Sequence, residues 1–187
     1  MITKSTNPKA DIKALRDAGA DVIVCCVSWG KMGKRDITSN QKTIMKVLVK
    51  AGVDVIIGYG PHCVQPAAWV DGEKDADGNV HRTLCLGATG NLLSDQYGQY
   101  DSGIIFQFTI QETEYGHFAV TNPIYVPTYV WRNETEDGRY DYRALAVGQW
   151  LESAPEGMAY ADAARMRQIW ADVQAVMGSE VAAVAAE

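Results

Sequence analysis

The chain has 187 residues, 47% of them hydrophobic and 21% charged. That is one domain's worth of ordinary globular composition, which excludes a disordered chain, a collagen-like repeat and a disulfide-dense miniprotein. With 17 Lys and Arg against 23 Asp and Glu, the net charge is −6, which argues against nucleic acid as a partner, because neutralising phosphates requires a basic face.

In chain order, Asn7 before Pro8 signals a helix start, and Ile12 and Leu15 give that helix its apolar side. The segment Asp11–Val24 is echoed by Thr43–Ile57, with Gly19 aligning on Gly52 and Asp21 on Asp54. Each copy reads as a helix, a glycine stop and a buried strand, since glycine adopts the left-handed conformation that ends a helix. Val22–Val27 and Val53–Ile57 are continuous apolar runs, as expected of parallel strands covered on both faces. Thr38-Ser-Asn-Gln41 has the form of a capping box that opens the second helix. The repeated Asp21 and Asp54 read as architectural groups rather than acid–base catalysts.

After residue 60 the pattern changes. Asp71–Asn79 reads as a polar hairpin loop, followed by strand-like segments at His81–Ala88, Gly103–Gln111 and Gly116–Val126. Ile104, Phe106 and Phe108 alternate with Ile105, Gln107 and Thr109, which predicts a strand with unequal faces. The short connection Glu112–Tyr115 predicts a hairpin, and residues 132–141 are polar again. Met166, Ile169, Trp170, Val173 and Met177 fall on one face of a helix expected over Met158–Met177, which the Ala-rich tail 179–187 either extends or frays. The five tryptophans, Trp29, Trp69, Trp131, Trp150 and Trp170, are spread out and read as core and seam residues. The fold class expected is α/β: a mixed sheet with a parallel βαβ first half, then antiparallel strands, then a C-terminal helix. A single domain over 1–187 is expected, with 132–187 as a helical C-terminal extension.

Cys25, Cys26, Cys63 and Cys85 form no Cys-x-x-Cys pair and read as buried free thiols. No apolar run reaches the roughly 18 residues of a membrane-spanning helix. Met1–Pro8 carries no apolar stretch behind its lysine, so it does not read as a signal peptide.

Ligands in open α/β sheets gather beyond the carboxyl ends of the parallel strands. Two loops leave such ends, Ser28-Trp29-Gly30-Lys-Met-Gly-Lys-Arg35 and Gly58-Tyr59-Gly60-Pro61-His62-Cys63, and a third turn is Thr89-Gly90-Asn91. The candidate pocket residues are therefore Ser28, Trp29, Gly30, Tyr59, Gly60 and Asn91, with His62 as the candidate catalytic group. His62 either orients an anionic group or is a hydrogen-bonded wall residue. Ser28 lacks a visible base, and Asn91 either presents its amide to a ligand or completes a turn. Lys31, Lys34 and Arg35 either steer a polyanion toward the strand ends or form a solvated loop. A nucleotide-binding reading finds neither a Gly-x-Gly-x-x-Gly nor a Walker loop.

Asp21–Gly30, Gly58–His62 with Gln65-Pro66, Gly90-Asn91 and the later Pro127–Trp131 resemble, in order and spacing, the bacterial capsule-synthesis CapA family. The resemblance covers about residues 8–131. It implies part of a metallophosphoesterase-like αββα sandwich, the carboxyl-terminal half of the domain, and a role in making, exporting or remodelling an anionic polymer such as poly-γ-glutamate at the cell surface. The family pattern reads roughly His-Trp-Gly, then Gly-His-His-Pro-His, then Ser-Leu-Gly-Asn. Here Ser28 replaces the first His, and Tyr59 and Gly60 stand ahead of Pro61-His62. A two-metal site needs several imidazoles and carboxylates, so the resemblance implies a degraded metal centre: no metal ligands and no cofactor in this chain, with a divalent metal reserved for a longer protein. If catalytic, the reaction implied is metal-assisted hydrolysis of a phosphoester or amide. The alternative is a non-catalytic module that binds polymer or partner. Part of a sandwich exposes apolar surface, so self-association into a dimer is expected.

Overall fold

The fold is taken from a computed structural model, which describes residues 7–74, 78–113 and 116–186. Helix α1 (Pro8–Asp17) starts where Asn7 accepts a hydrogen bond from the Ala10 amide. Its residue Ile12 is buried, while Leu15 stays half exposed, so it docks through a narrower stripe than expected. Helix α2 (Ser39–Ala51) opens with the expected capping box. The Thr38 hydroxyl accepts from the Gln41 amide, and the Gln41 side chain accepts from the Thr38 amide. The helix ends at Gly52, whose φ of 88° is the left-handed conformation that favours glycine.

These helices alternate with β1 (Val24–Ser28) and β2 (Val55–Tyr59), followed by β3 (Val64–Lys74) and β4 (Val80–Thr89). The four strands form one sheet in the order β1-β2-β4-β3, with β1, β2 and β4 parallel and β3 antiparallel to β4. β5 (Ser102–Glu112), β6 (Phe118–Glu134) and β7 (Tyr140–Ala146) build a second, antiparallel sheet centred on β6. Helix α3 (Tyr160–Met177) follows, and then β8 (Ala182–Ala183) pairs in parallel with Ile124 and Tyr125 of β6. Parallel strands, then antiparallel strands, then a helix are consistent with a metallophosphoesterase-like fold.

Two cores hold the layers together. Ile12, Ile23, Val27, Trp29, Leu48, Val53, Ile56 and Cys85 pack α1 and α2 onto one face of the first sheet. Val64, Ala67 and Leu86 of that sheet meet Ile104, Tyr125, Tyr129 and Trp131 of the second, and the Met166–Ile169–Val173–Met177 stripe of α3 covers them. Burial of each large side chain stabilises by about 2 kcal/mol, so these two clusters carry most of the driving force.

Several expectations are corrected. β1 is an edge strand, and its side chains alternate between faces, so Val24, Cys26 and Ser28 are exposed and only one face is covered. Cys26 is thus an exposed thiol, while Cys63 and Cys85 are buried and Cys25 lies between. Burial pushes the Cys85 thiol up to about 12. β3 begins in a stretch for which no element was expected, and it takes in Asp71–Lys74 of the expected turn; residues 75–77 of that turn lie outside the described residues. The β5–β6 connection was expected as a hairpin, and the antiparallel pairing is present; residues 114–115 within it lie outside the described residues. The start of the N-terminal segment, residues 1–6, does so too. Residues 132–187 are not a helical extension: β6 runs to Glu134, β7 pairs with it, and the α-helix begins only at Tyr160. Over its described residues, 179–186, the Ala-rich tail does not extend α3: Gly178 ends the helix and Ala182–Ala183 adds to the open edge of β6.

Asp54 is architectural. Its Oδ2 accepts from the Ile23 amide and from Arg16 Nη2, each at 2.6 Å, tying the start of β1 to β2 and to the end of α1. Replacing it by Ala leaves the Ile23 amide and the half-buried guanidinium without that acceptor. The expected outcome for Asp54→Ala is a loss of about 2 kcal/mol in urea unfolding, with Asp54→Asn losing clearly less.

Candidate functional site

The parallel strands β1, β2 and β4 end at Ser28, Tyr59 and Thr89, so their carboxyl tips lie side by side, with Ser28 in register with Tyr59. A crossing of side chain and backbone holds the three tips together. The Trp29 indole N–H donates to the Gly87 carbonyl at 2.7 Å, and the Trp29 amide donates to the Tyr59 carbonyl at 3.0 Å. A Cβ at Gly58 would collide with both the Gly87 oxygen and Trp29 Nε1, so the indole crosses β2 only because residue 58 has no side chain. At Gly60 a Cβ would stand 2.6 Å from the Trp29 oxygen, and at Gly30 it would stand 2.8 Å from Pro61. Trp29, Gly30 and Gly60 therefore make the frame of the site rather than its reacting surface.

Behind that frame lie two fully buried glutamines. Gln41 Nε2 donates to Gln65 Oε1 at 2.6 Å, and Gln65 Nε2 donates to the carbonyls of Lys34 and Asp36. This network pins the loop after β1 against the sheet. Lys31 and Lys34 are exposed on that loop, whereas Arg35 is half-buried and lies 4.0 Å from Asp172 of α3. Among the described residues the basic cluster thus offers two cations without an ion pair, Lys31 and Lys34, and one already near a carboxylate.

His62 and Asn91, proposed from different loops, do meet. His62 Nδ1 lies 3.0 Å from Asn91 Oδ1. The Asn91 amide nitrogen donates to the Tyr100 carbonyl at 2.9 Å and to Gln96 Oε1 at 3.3 Å, so its oxygen is the atom turned to the histidine. An acceptor there requires the proton on Nδ1, which turns Nε2 of an exposed imidazole outward. His62 has φ of 58°, a left-handed conformation uncommon outside glycine. Such strain costs on the order of 1 kcal/mol and gathers where function requires a fixed side-chain direction. Ser28 and Tyr59 are exposed on the adjacent tips and contribute hydroxyls.

His81 and His117 take no part. His81 Nε2 donates to the Val53 carbonyl at the opposite end of β2, and His117 sits at the β5–β6 hairpin. Among the described residues no group of three or more His, Cys, Asp or Glu is placed to hold a metal ion. One imidazole and two neutral hydroxyls do not fit a two-metal phosphoesterase centre, which needs several anionic and imidazole donors around each cation. The Gln41–Gln65 pair and the contacts of Asn91 with Gln96 and Tyr100 were not anticipated. Gln65 was visible as part of a motif, but its burial depends on α2 lying over the sheet.

The family model for bacterial capsule synthesis protein PGA_cap matches residues 3–96. The chain belongs to this family. The match takes in the loops that carry Ser28–Arg35, Gly58–His62 and Gly90-Asn91, and it ends after β4, short of the limit at residue 131 expected from the motifs. A curated relative, PGA biosynthesis protein CapA of Bacillus subtilis (strain 168), is 25% identical over 103 residues, which are 54% of this chain and 24% of that protein. The chain therefore spans about a quarter of the length of the curated relative it matches.

The left-handed backbone at residue 62 gives a direct test. Glycine is at ease at that φ and alanine is not, so His62→Gly is expected to be more stable than His62→Ala by about 1 kcal/mol in chemical unfolding. Equal stabilities would show that the loop relaxes and that no strain is held at the histidine.

Proposed function

We propose that the strand tips of this capsule-synthesis family member form one wall of a site for an anionic polymer of the poly-γ-glutamate type. In this reading His62 is the contact residue, and the protein serves the assembly, export or remodelling of that polymer at the cell surface. The observation that carries the reading is the His62–Asn91 hydrogen bond. It sets one tautomer and aims Nε2 outward, as a donor to an anionic group when protonated and as an acceptor or ligand atom when neutral. Exposed Lys31 and Lys34 add positive charge on the loop beside it, within a chain of net charge −6. Tyr59 and Ser28 supply neutral hydrogen-bonding groups. The site works with a degraded metal centre, and no hydrolytic step is assigned to this chain.

If the protein acts as a metal-dependent hydrolase, His62 is a ligand or charge stabiliser and Asn91 orients it. A non-catalytic module that holds the polymer without cutting it is the second reading. It is favoured by the hydroxyl and glycine residues that stand at Ser28, Tyr59 and Gly60, where the family pattern has imidazoles. Metal analysis of the protein separates the two: stoichiometric manganese, iron or zinc, lost in His62→Ala, supports the hydrolase. Polymer retention tests the shared claim. His62→Ala is expected to weaken retention of poly-γ-glutamate about tenfold, the worth of one charge-assisted hydrogen bond, and unchanged retention would overturn the assignment.

The outer side of β1 supports self-association, because Val24, 42% exposed, and Cys26 lie on a strand that has no neighbour on that side among the described residues. Among the described residues no helix is long and apolar enough to cross a membrane. Light scattering of the 187-residue chain is expected to show dimer at high concentration, and Val24→Lys is expected to shift it to monomer. A strictly monomeric chain would count against this.

A further inference from the structure

On the far side of the loop that bears Asn91 lies a second cavity, of about 310 Å³, between residues 94–101, β6, the start of β7 and the first turns of α3. Its charged groups are unevenly matched. Arg165 is committed, since its Nε and Nη2 grip both oxygens of Asp101 at 3.0 and 2.8 Å, and Nη2 also donates to the Gly98 carbonyl. Arg132 is not. Its guanidinium lies 3.6 Å from the centroid of Tyr140, 4.8 Å from Tyr97 and 5.7 Å from Tyr142, and among the described residues no carboxylate pairs with it. Its Nε is buried without a hydrogen-bond partner among the described residues. Tyrosine rings over a guanidinium occupy its faces and leave the in-plane N–H groups, the geometry that accepts a planar carboxylate with two parallel hydrogen bonds.

The same cavity carries carboxylates that Arg165 does not neutralise. Asp162 uses Oδ1 to accept from the Tyr129 hydroxyl at 2.7 Å, and Asp95 and Glu134 also line the space. Burial and the neighbouring carboxylates hold the Tyr129 phenol protonated, so it remains a donor to Asp162. A simple anion would meet Arg132 and then the carboxylates of Asp162, Asp95 and Glu134, none of them ion-paired among the described residues. A simple cation would meet Arg132. A ligand carrying both signs on adjacent atoms satisfies both walls, with tyrosine rings against its carbon skeleton.

We propose that this cavity is a binding site for an α-amino-acid head group, its carboxylate held by Arg132 and its ammonium by Asp162, with Asp95 contributing at the open side. The ligand chemistry is shared by a free amino acid and by one end of a γ-linked glutamate chain. In such a chain every residue keeps its α-carboxylate, but only the amino-terminal residue keeps the α-ammonium as well, so the cavity would read the chain end and not the interior. The inference does not rest on His62 and survives or fails independently of the function proposed above.

The experiment is isothermal titration of the 187-residue chain with four probes: L-glutamate, glutarate, γ-linked triglutamate with a free amino end, and the same peptide N-acetylated. L-Glutamate and the free peptide are expected to bind, and glutarate and the acetylated peptide at least tenfold more weakly. A peptide preferred over L-glutamate assigns the source to the polymer end, and the reverse preference assigns it to the free amino acid. Arg132→Gln is expected to abolish binding. Asp162→Asn, which keeps an acceptor for Tyr129, is expected to weaken it at least tenfold with an unchanged melting temperature. Absence of heat with L-glutamate and with the free peptide, equal affinity for glutarate and L-glutamate, or full affinity in folded Asp162→Asn would each overturn the proposal.

Discussion

The passage of the Trp29 indole across β2 to the Gly87 carbonyl is the constraint on which the rest of the site depends. It fixes the spacing of three parallel strands at their carboxyl ends, and it works only because residue 58 is glycine. Each loop that matters leaves from that crossing: residues 29–37 after β1, residues 60–63 after β2 and residues 90–101 after β4. The buried Gln41–Gln65 pair then locks the first of these loops to α2 and β3. A polar pair with no exposed surface is tolerable only when its hydrogen bonds are made, and here both amide nitrogens and both oxygens have partners. Orientation at the tips is thus set from inside the protein, so His62 can stay exposed and still point in one direction.

The first half of the fold was open to reading because its local signals agree with one another. A capping residue, a glycine stop and an apolar run recur twice, and the structure places a helix and a parallel strand at each. The second half was harder for reasons visible in particular residues. β3 contains Gln65 and Pro66, both of which argue for a loop. Yet Gln65 is satisfied by α2, and Pro66 has no N–H to lose on a strand at the sheet edge. β7 is polar and aromatic because it too borders the sheet, and it earns its place by pairing with Thr128–Glu134 of β6. The two-residue β8 has no local signal at all; it exists because β6 outruns β7 and leaves an edge to be filled.

For the site, residue types at the strand ends pointed to His62 and Asn91, and both their proximity and their hydrogen bond emerged from the topology that sets β2 beside β4. What the sequence could not convey is direction. The left-handed backbone at His62 and the roles of Gln96 and Tyr100 in turning the Asn91 amide depend on contacts across 5–9 residues of loop. Likewise, Lys34 and Arg35 are neighbours in sequence, yet one faces solvent and the other approaches Asp172. A local charge cluster is therefore an unreliable guide to a local field.

Residues 91–101 join the two candidate sites physically. Asn91 and Tyr100 hold the imidazole on one side, Asp95, Tyr97 and Asp101 line the cavity on the other, and Gln96 both accepts from Asn91 and lines the cavity. The end of this segment is anchored twice, by Arg165 gripping Asp101 and by the Asp101 carbonyl accepting from the Val130 amide at 2.8 Å. Between those anchors and Asn91 the chain has only short turns and one 3₁₀ turn at Gly98–Tyr100. The two candidate sites therefore share one segment, fixed at its start by the hydrogen bond from the Asn91 side-chain amide to the Tyr100 carbonyl and at its end by the contacts of Asp101.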